Sequence, residues 1–107
     1  MSITVTFTPE SMSSSQYEEI IKRLKQAGAD KPRGRLFHVC HGDADHLRVL
    51  DVWNSIEDFQ EFGQTLIPII GEVGVISAEP EIREVYSFSD DINTIDIDID
   101  TSRFHDL

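Results

Sequence analysis

Apolar residues recur along this chain at two different periods, and the switches between them mark out the elements. Ile3, Val5 and Phe7 alternate with Thr4, Thr6 and Thr8, a period of two in residues that favour strands, and Pro9 stops the pattern. Ser15 with Glu18 three residues later forms a capping box, and Tyr17, Ile20, Ile21, Leu24 and Ala27 fall on one face of a helix that Gly28 ends. The opposite face carries Glu18 with Lys22 and Glu19 with Arg23, two favourable spacings of four. After a loop holding Pro32 and Gly34, Arg35 to His41 reads as a second strand, Gly42-Asp43-Ala44-Asp45 as a turn, and His46 to Trp53 as a third strand. Ser55 with Asp58 repeats the capping pattern, and Ile56, Phe59, Phe62 and Leu66 build a second apolar stripe. Pro68 is expected to kink or restart that helix, because proline removes a backbone donor and clashes with the preceding turn. Ile69, Ile70 and Val73 extend the stripe to Gly74, and Glu81 to Ser89 alternates as a fourth strand.

The order βαββαβ predicts an α+β class: a ferredoxin-like sandwich with a four-stranded antiparallel sheet and two helices on one face. The other sheet face then carries Phe37, Val39, Leu50 and Val52, an apolar patch too large for water, so the chain is expected to form a homodimer through its sheet. Residues 1–89 form this domain. Residues 90–107 form an acidic C-terminal extension whose Ile95-Asp96-Ile97-Asp98-Ile99-Asp100 run reads either as an edge strand or as a mobile charged tail. Asp96, Asp98 and Asp100 also have the spacing of a calcium loop, but Thr101 stands where glycine is required and Leu107 where the bidentate glutamate belongs, which excludes that reading.

Composition narrows the partners. Nine Lys and Arg against twenty Asp and Glu give a net charge of −11, which disfavours nucleic acid and anionic membrane surfaces. No apolar run approaches the roughly 20 residues needed to cross a bilayer, and the opening Met1-Ser2-Ile3-Thr4 lacks the basic and apolar regions of a secretory signal, so the cytoplasm is the expected location. The single cysteine, Cys40, has no partner for a bridge. It reads as a buried small hydrophobe, with a nucleophile activated by neighbouring His41 as the sharper alternative.

Candidate chemistry concentrates in His38-Val39-Cys40-His41-Gly42-Asp43-Ala44-Asp45-His46. His38 and His41 point to opposite faces of a strand, and His41 with His46 offers only two ligands at an exposed turn, so no metal site is expected. With an even-numbered loop whose opposed residues sum to 87, Cys40 lies opposite Leu47, His38 opposite Val49 and Leu36 opposite Asp51. His38, Asp51 and Trp53 then share one face, with His38 and Asp51 as diagonal neighbours. A carboxylate beside an imidazole fixes its tautomer and strengthens it as a base, which is how an acid/base pair is built; the plain alternative is a buried hydrogen bond that only satisfies two polar groups. An odd loop dissolves the cluster. Tyr17, Phe59 and Phe62 are placed to wall a cavity beside the pair, and Trp53 either shapes that pocket or packs in the core. On the fourth strand Arg83 and Tyr86 are candidates for holding an anionic or phenolic ligand, of which at most one faces the cavity.

The element order, the capped segment Asp51-Val52-Trp53-Asn54-Ser55-Ile56-Glu57-Asp58-Phe59 and the ending of the fourth strand resemble the dimeric α+β barrel superfamily, in particular the antibiotic biosynthesis monooxygenase-like domains, over about residues 1 to 89. The resemblance implies a homodimer with a pocket between each sheet and its helices. Some relatives oxygenate polycyclic phenols without metal or flavin, others degrade haem, and many have no assigned activity. The tryptophan of the family pattern lands on Trp53 and the capping serine on Ser55, whereas Phe62 stands where a histidine is often found, removing a ligand contact from the oxygenase and haem readings. Two functions follow as expectations: a dimeric module that encloses a small, aromatic ligand without a cofactor, and a cofactor-independent monooxygenase-like enzyme with His38 as acid/base and Asp51 as its orienter.

Overall fold

In the computed structural model, which describes residues 1–77 and 79–89, the chain runs β1 (Ile3–Phe7), α1 (Ser14–Gln26), β2 (Arg35–Asp43), β3 (His46–Trp53), α2 (Ile56–Val73) and β4 (Glu81–Glu84). The strands form one antiparallel sheet in the order β2-β3-β1-β4. This is the ferredoxin-like arrangement expected from the sequence. The acidic extension, with its strand and calcium readings, lies outside the described residues.

The helices begin where side chains can satisfy their free N–H groups. For α1 the cap is Ser13 rather than Ser15: its Oγ accepts from Gln16 N–H at 3.1 Å, and Gln16 Oε1 accepts from Ser13 N–H at 2.9 Å. Two overlapping serine motifs compete here. The earlier one wins with the support of the β2–β3 hairpin tip, because Ser14 N–H donates to Ala44 O at 2.7 Å and Leu47 N–H to Met12 O at 2.9 Å. For α2 the cap is Ser55, accepting from Asp58 N–H at 3.2 Å. This helix continues through Pro68 and stops at Gly74, whose φ of 88° closes it in the left-handed conformation. Pro68 does not restart it. Proline and Gln64, whose carbonyl loses its helical partner, are both exposed, so water reaches the freed group.

The core lies between helices and sheet. Ile3, Val5 and Phe7 of β1, Val49 and Trp53 of β3, Ile20 and Leu24 of α1, and Phe59, Phe62 and Leu66 of α2 are buried together. At about 1.5–3 kcal/mol for each large apolar side chain removed from water, this layer is the main term holding the domain together.

Three expectations change. Opposed residues of β2 and β3 sum to 89, not 87: a tight turn over Ala44 and Asp45 puts Asp43 opposite His46, Cys40 opposite Val49 and His38 directly opposite Asp51. A shift of two residues keeps every side chain on its face. At the far end a bulge between Arg35 and Phe37 breaks the register, so Arg35 pairs with Trp53 and Leu36 is left half exposed rather than opposite Asp51. β4 ends at Glu84, short of the expected Ser89, so Tyr86 lies beyond the sheet. The outer face is also less bare than its sequence suggests: Val52 is buried, Phe37, Val39 and Leu50 are partly buried, and the Phe88 ring packs edge-on against Phe37 with centroids 6.3 Å apart.

Candidate active site

The direct pairing of β2 with β3 and the latch between hairpin and α1 converge on one hydrogen-bonded chain. His38 Nδ1 lies 2.5 Å from Asp51 Oδ1, and Tyr17 Oη lies 2.7 Å from His38 Nε2. Asp51 reaches this position from a central strand, its side chain only 4% exposed, and among the described residues it is the buried charged residue of the core. The His38 side chain is 24% exposed. A carboxylate accepts, so the imidazole donates from Nδ1–H to Asp51, and in the neutral ring the bare Nε2 accepts from the Tyr17 hydroxyl. Burial foremost, with the negative charges that Cys40 and Asp51 carry in the alkaline range where the phenol ionises, pushes Tyr17 up from 10.0 to about 12 against the opposing pull of Arg35. Tyr17 therefore stays a neutral donor at neutral pH. Burial also pushes the Cys40 thiol up, which leaves it protonated and poorly nucleophilic.

This chain forms part of the wall of a recess between sheet and helices. Its volume is about 520 Å³ with its open mouth included, of which about 60 Å³ is wide enough for water. The smaller figure lies below the roughly 300–1,000 Å³ of small-molecule sites, so a bound ligand has to widen the recess or extend through its open mouth. Four titratable side chains line it: Tyr17, Arg35, His38 and Asp51. Apolar residues such as Phe7, Met12, Val49, Phe62 and Leu66 supply most of the remainder. The arrangement offers a proton acceptor with a fixed tautomer, a phenol in front of it and a guanidinium close by, all in a mostly apolar enclosure. Among the described residues no three His, Cys, Asp or Glu side chains converge as metal ligands.

Of the residues singled out from the sequence, the structure brings together His38, Asp51, Tyr17 and Phe62. Trp53 and Phe59 stand elsewhere. Trp53 is 0% exposed and packs on Phe59 and Phe62 at centroid distances of 5.7 and 5.3 Å, so it backs the site from the core rather than facing the recess, and Phe59 lies behind it. Tyr86 is fully exposed, and Arg83 is an exposed partner of Glu81 at 3.7 Å, so neither lines the recess. Arg35 was missed because the bulge that turns it inward reverses the parity of the strand's first residues. The Tyr17 to His38 bond was missed because it depends on how α1 docks, which no local pattern encodes.

No family model matches the sequence, and no curated protein matches it. Solved structures do match in fold: a Chloroflexus aurantiacus protein of the antibiotic biosynthesis monooxygenase type (TM-score 0.61, 15% identity, covering 84% of this chain and 98% of that one) and a Deinococcus radiodurans protein of the same type (0.55, 13%, 84% and 97%). The chain has the fold of the antibiotic biosynthesis monooxygenase-like proteins. A third match is SnoaB of Streptomyces nogalater, a cofactor-independent oxygenase (TM-score 0.54, 14% identity, covering 81% and 93%). Among the described residues no helix is long and apolar enough to cross a membrane.

Proposed function

We propose that this antibiotic biosynthesis monooxygenase-like fold encloses a small, largely apolar aromatic ligand between sheet and helices and removes a proton from it. The observation that carries the reading is the Tyr17–His38–Asp51 chain in the wall of an otherwise apolar recess. A ligand O–H or acidic C–H gives its proton to Tyr17 Oη while the Tyr17 proton moves to His38 Nε2. The products are a ligand anion and an imidazolium held by Asp51, and the tyrosine is neutral before and after. The high affinity of Tyr17 for its proton favours such a coupled transfer over a free phenolate. His38 is thus the base, Asp51 its orienter, and Tyr17 the group that touches the ligand.

Oxygenation is the second reading, favoured by the likeness in fold to SnoaB. A deprotonated aromatic is electron-rich enough to react with dioxygen without metal or flavin, so the same relay serves that chemistry. A second copy on the outer sheet face, over Phe37, Val39 and Leu50, completes the proposed assembly; sedimentation of the purified chain at dimer mass supports it, and a monomer at micromolar concentration contradicts it.

The relay is tested with 4-nitrophenol, whose phenolate is yellow. Bound to the wild-type chain it shows more phenolate than free probe at the same pH, and Tyr17→Phe and His38→Gln remove the excess while still binding. A bound probe that titrates as it does in water defeats the proposal.

A further inference from the structure

The recess holds a cation that the proton relay does not use. Arg35 reaches its wall because the bulge at Leu36 reverses the parity of β2 and pairs Arg35 with Trp53. Its Nη2 donates to Asp30 O at 3.3 Å, and its Cζ lies 5.9 Å from the centre of the Phe62 ring. Among the described residues no carboxylate pairs with it. Arg23 bridges Glu19 at 3.0 Å and Glu72 at 3.1 Å, Arg83 meets Glu81, and Arg33 and Arg48, which among the described residues pair with no carboxylate either, stand exposed to water, whereas Arg35 is half-buried. Arg35 spends one of five N–H donors on a backbone carbonyl. Its charge nonetheless reaches the site, since it is the one influence that pulls the Tyr17 phenol back down.

A half-buried guanidinium with donors to spare, set in apolar walls, is arranged to receive an oxyanion. Its planar fork matches a carboxylate through two parallel hydrogen bonds, whereas a doubly charged phosphate loses far more hydration on entering an apolar recess of this kind. We infer that the ligand is a small apolar carboxylate whose carboxyl group is anchored by Arg35, with the proton to be removed lying elsewhere on the molecule, at Tyr17. This deepens the proton-transfer reading and rests on it for the recess, while adding a separate element: the ligand enters already charged. Phe62 serves the same end. It holds the guanidinium by its ring face, leaving the N–H edge free for the anion.

The test compares benzoate with its neutral analogue benzamide, each titrated against the 15N-labelled chain, with the backbone amides of Tyr17 and His38 as reporters of the recess. Charge-assisted pairing contributes about 1.5–3 kcal/mol, and 1.4 kcal/mol is tenfold, so benzoate binds about ten- to a hundredfold more tightly than benzamide. Arg35→Gln removes that preference, weakening benzoate far more than benzamide. Arg35→Lys, which keeps the charge without the fork, retains part of it and shows that the loss in Arg35→Gln is not a folding defect; thermal melts of both variants check this directly. Equal affinity for the two probes, or an Arg35→Gln chain that still prefers benzoate, overturns the inference. So does benzoate binding that leaves Tyr17 and His38 undisturbed. Equal affinities together with a positive nitrophenol result discard the carboxylate anchor and keep the relay, whereas a negative nitrophenol result with a strong benzoate preference does the reverse.

Discussion

The layer between sheet and helices is built in two halves from similar residues put to different ends. Around Trp53 it is filled: the indole is enclosed by Phe59 and Phe62, and the Phe7 ring meets Phe59 at 6.1 Å. Around His38 it opens into the recess, and Tyr17, His38 and Asp51 in its wall are hydrogen-bonded to one another. Both halves hang on the same strand, since Trp53 and Asp51 are two residues apart on β3 and point the same way. The contrast teaches that the family-like tryptophan is structural in this chain. Its neighbour two residues back, Asp51, belongs instead to the proposed proton relay.

Substitutions should separate the halves. Trp53→Ala removes the centre of the filled half and is expected to cost about 3–5 kcal/mol of unfolding free energy, read by urea denaturation. Where the variant still folds, the proton shift of bound 4-nitrophenol is retained. Asp51→Asn leaves a buried amide NH2 beside an imidazole whose tautomer is no longer dictated, and is expected to cost about 1–3 kcal/mol. Unlike the tryptophan variant it abolishes the proton shift. If Trp53→Ala loses the shift at full occupancy, or Asp51→Asn keeps it, the division is wrong.

A smaller effect comes with pH. The folded chain holds the Tyr17 proton up to about pH 12, while the unfolded chain releases it near 10.0. A group whose folded pKa is raised contributes stability that is full below the unfolded value and is lost as pH climbs through the folded one. Urea midpoints of the wild type should therefore fall between pH 10 and 12 more steeply than those of Tyr17→Phe. Parallel curves refute the buried-phenol assignment.

Much of this was legible in the sequence for a physical reason: strand alternation and serine caps are local, and they place Ile3, Val5 and Phe7 inward and start α2 at Ser55 without reference to the rest of the molecule. Parity survived an error in register, which is why His38 and Asp51 were grouped correctly although the turn at Ala44 and Asp45 makes them direct rather than diagonal partners. Two features were not legible. Leu36 gives no sign of a bulge, so Arg35 was assigned no place in the recess. The partner of His38 Nε2 depends on α1 being latched to the hairpin tip through Ser14 and Ala44, a contact between segments 30 residues apart in sequence.

The central claim is that His38 is held as a base, donating to Asp51 and accepting from Tyr17. Imidazole 15N shifts of His38 report this directly. The account predicts a protonated Nδ1, a bare Nε2, and an Nε2 signal that moves in Tyr17→Phe while Nδ1 stays in place. A ring protonated at Nε2, or an Nε2 signal indifferent to the loss of the Tyr17 hydroxyl, contradicts it.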